Sequence, residues 1–160
     1  KIIKNITISD YALSDSNGET ILKIPNRSKS IFKDNIEEIF KLGCATIHKN
    51  NEIKNFKSFK VKKKKLDEIL VSKKKIGFIK IDVEGHEKEV IQGAKNLILN
   101  NKPIMLIEIE ERHIKIPIFE TINYIKNLNY ECYFLRDENL IKIHEIKDTD
   151  LNNNFLFLPI

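Results

Sequence analysis

One stretch limits what this chain can fold into more than any other, the forty residues from Lys75 to Ile114, KIGFIKIDVEGHEKEVIQGAKNLILNNKPIMLIEIEERHI. It opens on Ile76, Phe78, Ile79, Ile81 and Val83, a nearly unbroken apolar run. Such runs belong to strands buried on both faces of a parallel sheet. Gly85 then permits a sharp turn, because it has no side chain to clash. From His86 to Leu99 the apolar residues Val90, Ile91, Ala94, Leu97 and Ile98 fall on one helical face. Asn100 to Pro103 stops that helix, since proline cannot continue it and restricts the residue before it. A second apolar run, Ile104 to Ile107, follows. The pattern predicts a strand–helix–strand unit with a right-handed crossover.

The chemistry lies at the end of the first strand. Asp82 and Glu84 close an apolar strand at its carboxyl end, where open α/β sheets hold their ligands. At i and i+2 of an extended segment the two acids point the same way. Either acid also suits a cap at the positive start of the helix, and spacing alone does not separate the two readings.

KIDVEGHEKEVIQGA, followed by a proline and IMLIEI, closely resembles the central motif of the FkbM family of S-adenosylmethionine-dependent methyltransferases. YALSDSNGE near the start, KLDEIL before the central strand and NFLFLP at the end match in the same order, so the resemblance covers nearly the whole chain. It implies an α/β fold, a Rossmann-like class I methyltransferase sheet with an antiparallel C-terminal strand, in the order 3-2-1-4-5-7-6. Residues 1–13 would then be the third strand, Ile76 to Val83 the fourth and Ile104 to Ile109 the fifth. The glycine-rich cofactor loop and ribose-binding acid of such enzymes have no counterpart here. The chain starts at Lys1, so residues 1–160 read as one methyltransferase domain incomplete at its N-terminus, with the first two strands absent. On that alignment the fourth strand becomes a sheet edge and the N-terminal half is weakly anchored.

The resemblance implies S-adenosylmethionine as cofactor, with Asp10, Tyr11 and Ala12 where the family's sheet contacts the adenine. It implies methylation of a hydroxyl on a sugar or natural product, the acceptor being a small molecule or a glycan. A hydroxyl acceptor needs a base as the bond forms. Asp82 borders cofactor and acceptor in similar enzymes and is the first candidate, followed by Glu84 and then His86. The alternative is a non-catalytic binding or interaction module derived from the same fold. Asp67 of KLDEIL reads as structural.

The net charge of +5 raises the question of nucleic acid. Almost all of it is lysine, with arginine only at Arg27, Arg112 and Arg136, and the runs Lys62 to Lys65 and Lys73 to Lys75 contain no aromatics. Sequence readers lean on arginine and single-strand binders interleave aromatics. Neither signature is present, so a solvated lysine face is expected rather than a nucleic-acid partner. No window of about 18 apolar residues suggests a membrane span. Two cysteines, Cys44 and Cys132, are too few for a disulfide framework, which favours the cytoplasm.

Elsewhere the patterns are shorter. Alternation at Ile6 and Ile8, a turn at Asp15 to Gly18 and renewed alternation from Glu19 to Ile24 predict a hairpin. Ile36, Ile39 and Phe40 suggest a short helix ending at Gly43, and Cys44 to His48 a strand. Pro117 opens a helix with Ile118, Phe119, Ile122, Ile125 and Leu128 on its buried face. Strands are expected over Tyr130 to Leu135, Leu140 to Ile146 and Phe155 to Leu158, with a polar loop over Asp148 to Asn154. Glu108 should end the second central strand beside Asp82 and Glu84, with His86 and His113 near. No metal-ligand spacing is recognisable, and His48 reads as a lone loop histidine.

Overall fold

The computed structural model describes residues 5–26, 44–48, 55–70, 75–110, 117–144 and 153–160. They form a mixed α/β structure with two sheets. In chain order the elements are β1 (Tyr11–Leu13), β2 (Gly18–Pro25), β3 (Phe56–Lys64), α1 (Leu66–Ile69), β4 (Phe78–Ile81), α2 (Glu87–Gln92), α3 (Lys95–Asn101), β5 (Ile104–Glu108), α4 (Ile118–Lys126), β6 (Tyr130–Arg136), β7 (Asn139–Lys142) and β8 (Asn154–Pro159). The first sheet is ordered β1-β3-β2 and the second β4-β5-β8-β6-β7.

The second sheet carries the core. β4 and β5 pair in parallel, with Ile81 opposite Ile107, and β8 runs antiparallel to both β5 and β6. That register lines up two rows of side chains on one face. Ile79, Met105, Phe157 and Cys132 form the first row, and Ile81, Ile107, Phe155 and Phe134 the second. All but Ile79 are buried. Against them lie Val90, Ile91, Ala94, Leu97 and Ile98 from α2 and α3, with Ile122 and Ile125 from α4. Tyr130 is also buried, and its hydroxyl donates to the Pro103 carbonyl at 2.9 Å, so the core leaves that group satisfied. β6 and β7 join through Asp137 and Glu138, both with positive φ, as a two-residue hairpin with matching twist requires.

Several expectations change. The central strand spans only Phe78–Ile81 and is covered on one face, its outer residues being exposed, with Phe78 at 55%. β4 is a sheet edge, so it reads apolar without being buried on both faces. The helix expected from His86 to Leu99 is two, broken at Gly93 and Ala94, although its apolar stripe is buried as the period implies. Ile6 and Ile8 lie outside any strand and are 63% and 91% exposed. The expected hairpin is therefore not the pairing observed. β2 pairs instead with β3, from Gly18 opposite Lys63 to Pro25 opposite Phe56. Lysine-rich β3 was not foreseen as a strand, because lysine is depleted in strands and the partner, not the propensity, sets it. β1 joins β3 in parallel, Tyr11 opposite Lys62, so residues 11–13 belong to the first sheet, where the alignment had left them without a neighbouring strand. At Cys44 to His48 the described residues form a single bridge, Thr46 with Lys23, rather than a strand. The helix proposed around Ile36, and Arg112, His113 and most of the loop from Asp148, lie outside the described residues.

Candidate functional site: two polar clusters around the β4–α2 turn

β4 and β5 end side by side, so Asp82, just beyond β4, and Glu108, the last residue of β5, emerge together. Lys80 Nζ lies 3.5 Å from Asp82 and 3.8 Å from Glu108, and 3.5 Å from the Asn154 amide oxygen on β8. Burial pushes the Glu108 carboxyl up from its ordinary range, the charges of Asp82, Glu110 and Glu84 push the same way, and Lys80 opposes them. Glu108 thus holds a proton more readily than a free glutamate, while Asp82 remains about half exposed. The sequence placed three carboxylates at this strand end, and the structure brings Asp82, Glu84 and Glu108 into one electrostatic neighbourhood.

The turn after β4 is held from both sides. Glu84 has φ +54° and Gly85 φ +97°. Left-handed backbone costs a non-glycine residue about 1–2 kcal/mol, so the surroundings must enforce it. The Thr46 hydroxyl donates to the Glu84 carbonyl at 2.9 Å, and the Gly85 N–H donates to the buried Glu87 carboxylate at 2.9 Å. The N-cap position of α2 is His86, with no side-chain cap. Neither Asp82 nor Glu84 is thus the N-cap residue of this helix.

His86 belongs to a second cluster. Its Nε2 lies 3.0 Å from Ser14 Oγ, and its Nδ1 lies 3.6 Å from Glu89. The His48 ring packs edge-on at 5.8 Å between centroids. Burial lowers the pKa of both imidazoles, for His86 partly offset by the Glu89 charge. One donor atom each from His48, His86 and Glu89 lie within 4.8 Å of one another, a set able to hold a cation. Sequence reasoning missed this group. His48 is 38 positions from His86, and no local pattern signals that Lys23 clasps Thr46 and carries His48 to the turn. Ser14 lay inside the quoted YALSDSNGE without a role.

Asp10, Tyr11 and Ala12 stand at the beginning of β1, with Asp10 exposed and the Lys64 ammonium 4.9 Å over the Tyr11 ring. Between β1, β4 and the two helices lies a cavity of about 200 Å³, lined by Leu13, Ile79, Ile81, Val83, Val90 and Ile98 with Asp82 and Lys80 as its charged members. No described helix is long and apolar enough to cross a membrane.

No curated protein matches the chain. A solved structure of methyltransferase FkbM from Methylobacillus flagellatus KT is similar to it, at 23% identity and a TM-score of 0.42, over 62% of this chain. The matched part spans 23% of that protein. The family model described as the methyltransferase FkbM domain matches residues 3–132, taking in β1 through the first residues of β6. The chain belongs to the FkbM methyltransferase domain family.

Proposed function

We propose that this chain forms part of an S-adenosylmethionine-dependent methyltransferase that methylates a hydroxyl on a sugar or natural product in the cytoplasm. On this reading β4, β5, β8 and β6 are the described part of a Rossmann-like class I sheet, and neither nucleic acid nor membrane is a partner. One observation carries the proposal. Carboxylates collect where two adjacent parallel strands end, beside an apolar cavity, as a ligand site in an open α/β sheet requires.

S-adenosylmethionine, when bound, supplies an activated methyl group on a sulfonium whose thioether leaves readily. The chain's own residues have a smaller task, alignment and removal of one proton. Asp82 accepts the acceptor's hydroxyl proton as the new C–O bond forms. Lys80 holds that carboxylate in position and balances the negative charge shared with Glu108. Glu84 adds charge to the same site, and His86 stands in the neighbouring cluster. The residues fit only part of the cofactor. A cavity of about 200 Å³ is below the roughly 300–1,000 Å³ of sites that enclose a ligand of that size. Asp10, Tyr11 and Ala12 remain the proposed adenine contacts.

Asp82→Asn tests the base. Turnover, read as S-adenosylhomocysteine released with a panel of sugar and natural-product hydroxyl acceptors, should fall about 10²–10⁴-fold, with an unchanged circular dichroism spectrum. Unchanged turnover would assign Asp82 to structure. The module reading would gain instead if neither form turns over any acceptor.

A further inference from the structure

We propose that His48, His86 and Glu89 bind a divalent first-row transition ion, zinc by preference, at a site separate from the acids around Lys80. The three residues come from two places, one loop segment and one helix start. His48 arrives on the segment that pairs with β2 through Thr46, and its own N–H donates to Thr46 Oγ1 at 3.0 Å. His86 opens α2, and Glu89 follows one turn later at i+3.

The hydrogen bonds settle which imidazole nitrogen is free. Ser14 has one hydroxyl proton, and it is donated to the Asp15 carboxylate at 3.1 Å. Asp15 also accepts from Ser16 at 2.8 Å, and these hydroxyls and Lys63 hold it ionised, able only to accept. The 3.0 Å contact between Ser14 Oγ and His86 must then be made by Nε2–H. That tautomer leaves a lone pair on Nδ1, buried, without a hydrogen-bond partner and 3.6 Å from a carboxylate oxygen. His48 is 8% exposed, and its Nε2 is also buried without a partner. An unsatisfied buried polar atom costs about 1–3 kcal/mol. In the tautomer with its proton on Nδ1, His48 presents a second lone pair beside the carboxylate, and a cation shared among the three groups turns their repulsion into coordination.

The geometry is close to what zinc requires. Zinc takes nitrogen at about 2.0–2.1 Å and carboxylate oxygen at about 2.0–2.2 Å in a tetrahedron, which sets neighbouring donors about 3.4 Å apart. His86 Nδ1 and Glu89 already stand at 3.6 Å, and the widest separation in the set is no more than 4.8 Å, so side-chain rotation of about 1 Å closes the site. Ser14 and Asp15 behind His86 form the outer hydrogen-bonded chain that orients a ligating histidine. Two histidines and one carboxylate leave a fourth position open, for water or for an oxygen of a bound molecule.

The test is titration of this chain with Zn²⁺ by calorimetry, together with the visible spectrum of its Co²⁺ form. One equivalent of zinc should bind, and cobalt should give the intense absorption of a tetrahedral site. His48→Ala and Glu89→Gln should each weaken binding at least tenfold, and Ser14→Ala about 10–100-fold, as expected of an outer-shell partner. His144→Ala, at a histidine outside the cluster, should leave binding unchanged. If His48→Ala fails to fold, Glu89→Gln, which keeps the side-chain shape at a half-buried position, decides alone. Absence of stoichiometric binding, or binding that survives Glu89→Gln, overturns the site.

Discussion

Gly93 sits between α2 and α3 with φ −73° and ψ −8°, a conformation open to alanine. Propensity alone therefore predicts that Gly93→Ala stabilises, by about 0.4–1 kcal/mol through a less flexible unfolded chain. The packing predicts the opposite. A Cβ built on Gly93 falls 1.9 Å from the Ser14 carbonyl oxygen and 2.9 Å from its carbon. Real Cβ atoms essentially never come within 3.0 Å, so backbone on one side must retreat by more than about 1 Å. Neither side moves freely. Ser14 is anchored by its N–H to the Lys64 carbonyl at 3.0 Å, and the Gly93 carbonyl accepts the Asp67 N–H at 2.9 Å. Overpacking against such a neighbour costs about 1–3 kcal/mol and exceeds the propensity gain. The net expectation is a loss of about 1–2 kcal/mol, which at a typical urea slope lowers the midpoint by about 0.5–1 M. Gly77→Ala is the control, since a Cβ there meets nothing within 4 Å. Equilibrium urea denaturation of both variants reads the difference. A midpoint for Gly93→Ala at or above the parent's would show that the close approach of Ser14 is not made in solution.

Three further outcomes follow from the same structure. Asp67 accepts the N–H groups of Asn96 and Leu97 at 3.0 and 2.8 Å and so satisfies the start of α3, and Asp67→Ala should cost about 1 kcal/mol in urea denaturation, Asp67→Asn less. The Glu108 pKa is raised on folding, so the native state binds that proton more tightly than the unfolded chain and stability falls as pH rises through the interval above 4.5; Glu108→Gln should therefore gain relative stability at pH 7 and lose that gain at pH 4, read from denaturation midpoints at the two values. Calorimetry of this chain with S-adenosylmethionine should give only weak binding, because the cavity encloses too little of such a ligand, and a micromolar dissociation constant would mean that the cofactor sits elsewhere.

What was legible in the sequence is what depends on period and local chemistry. The stripe from Val90 to Ile98 specified its buried face, and the hydrophobic runs around Ile79 and Met105 specified neighbouring parallel strands. Asp67 read as structural only through the resemblance of KLDEIL to the family's motif, and the helix start that it satisfies lies 29 and 30 positions onward. What was not legible depends on partners distant along the chain. β3 is FKSFKVKKK, with no strand signal except alternation of a few apolar residues, and its eight-pair ladder with β2 gives it its conformation. The break at Gly93 interrupts a stripe that continues through it in sequence, and the close approach of Ser14, which leaves no room there for a Cβ, comes from a segment far along the chain.

The same distant contacts bear on how the two sheets are joined. An N-terminal half only loosely tied to the central unit was the expectation, drawn from strands that pair with nothing. The described residues instead show polar attachments converging on KIDVEGHEKEVIQGA. Thr46 holds the carbonyl of Glu84, Ser14 holds His86 and abuts Gly93, and Asp67 reaches across Gly93 to the start of α3. Each attachment is at a position where ordinary helix or strand geometry lapses, a left-handed residue, an uncapped helix start or a break between helices. Such positions leave backbone groups unpaired within their own element; Thr46 pairs the Glu84 carbonyl and Asp67 pairs the N–H groups of Asn96 and Leu97, while Ser14 meets the His86 side chain. The turn that carries Asp82 and Glu84 is thus held by residues flanking the first sheet, Ser14 just after β1 and Thr46 bridged to β2, as much as by its own strand. A candidate site at this turn depends on both sheets, so a change at Thr46 or Ser14 acts on it without touching a ligand.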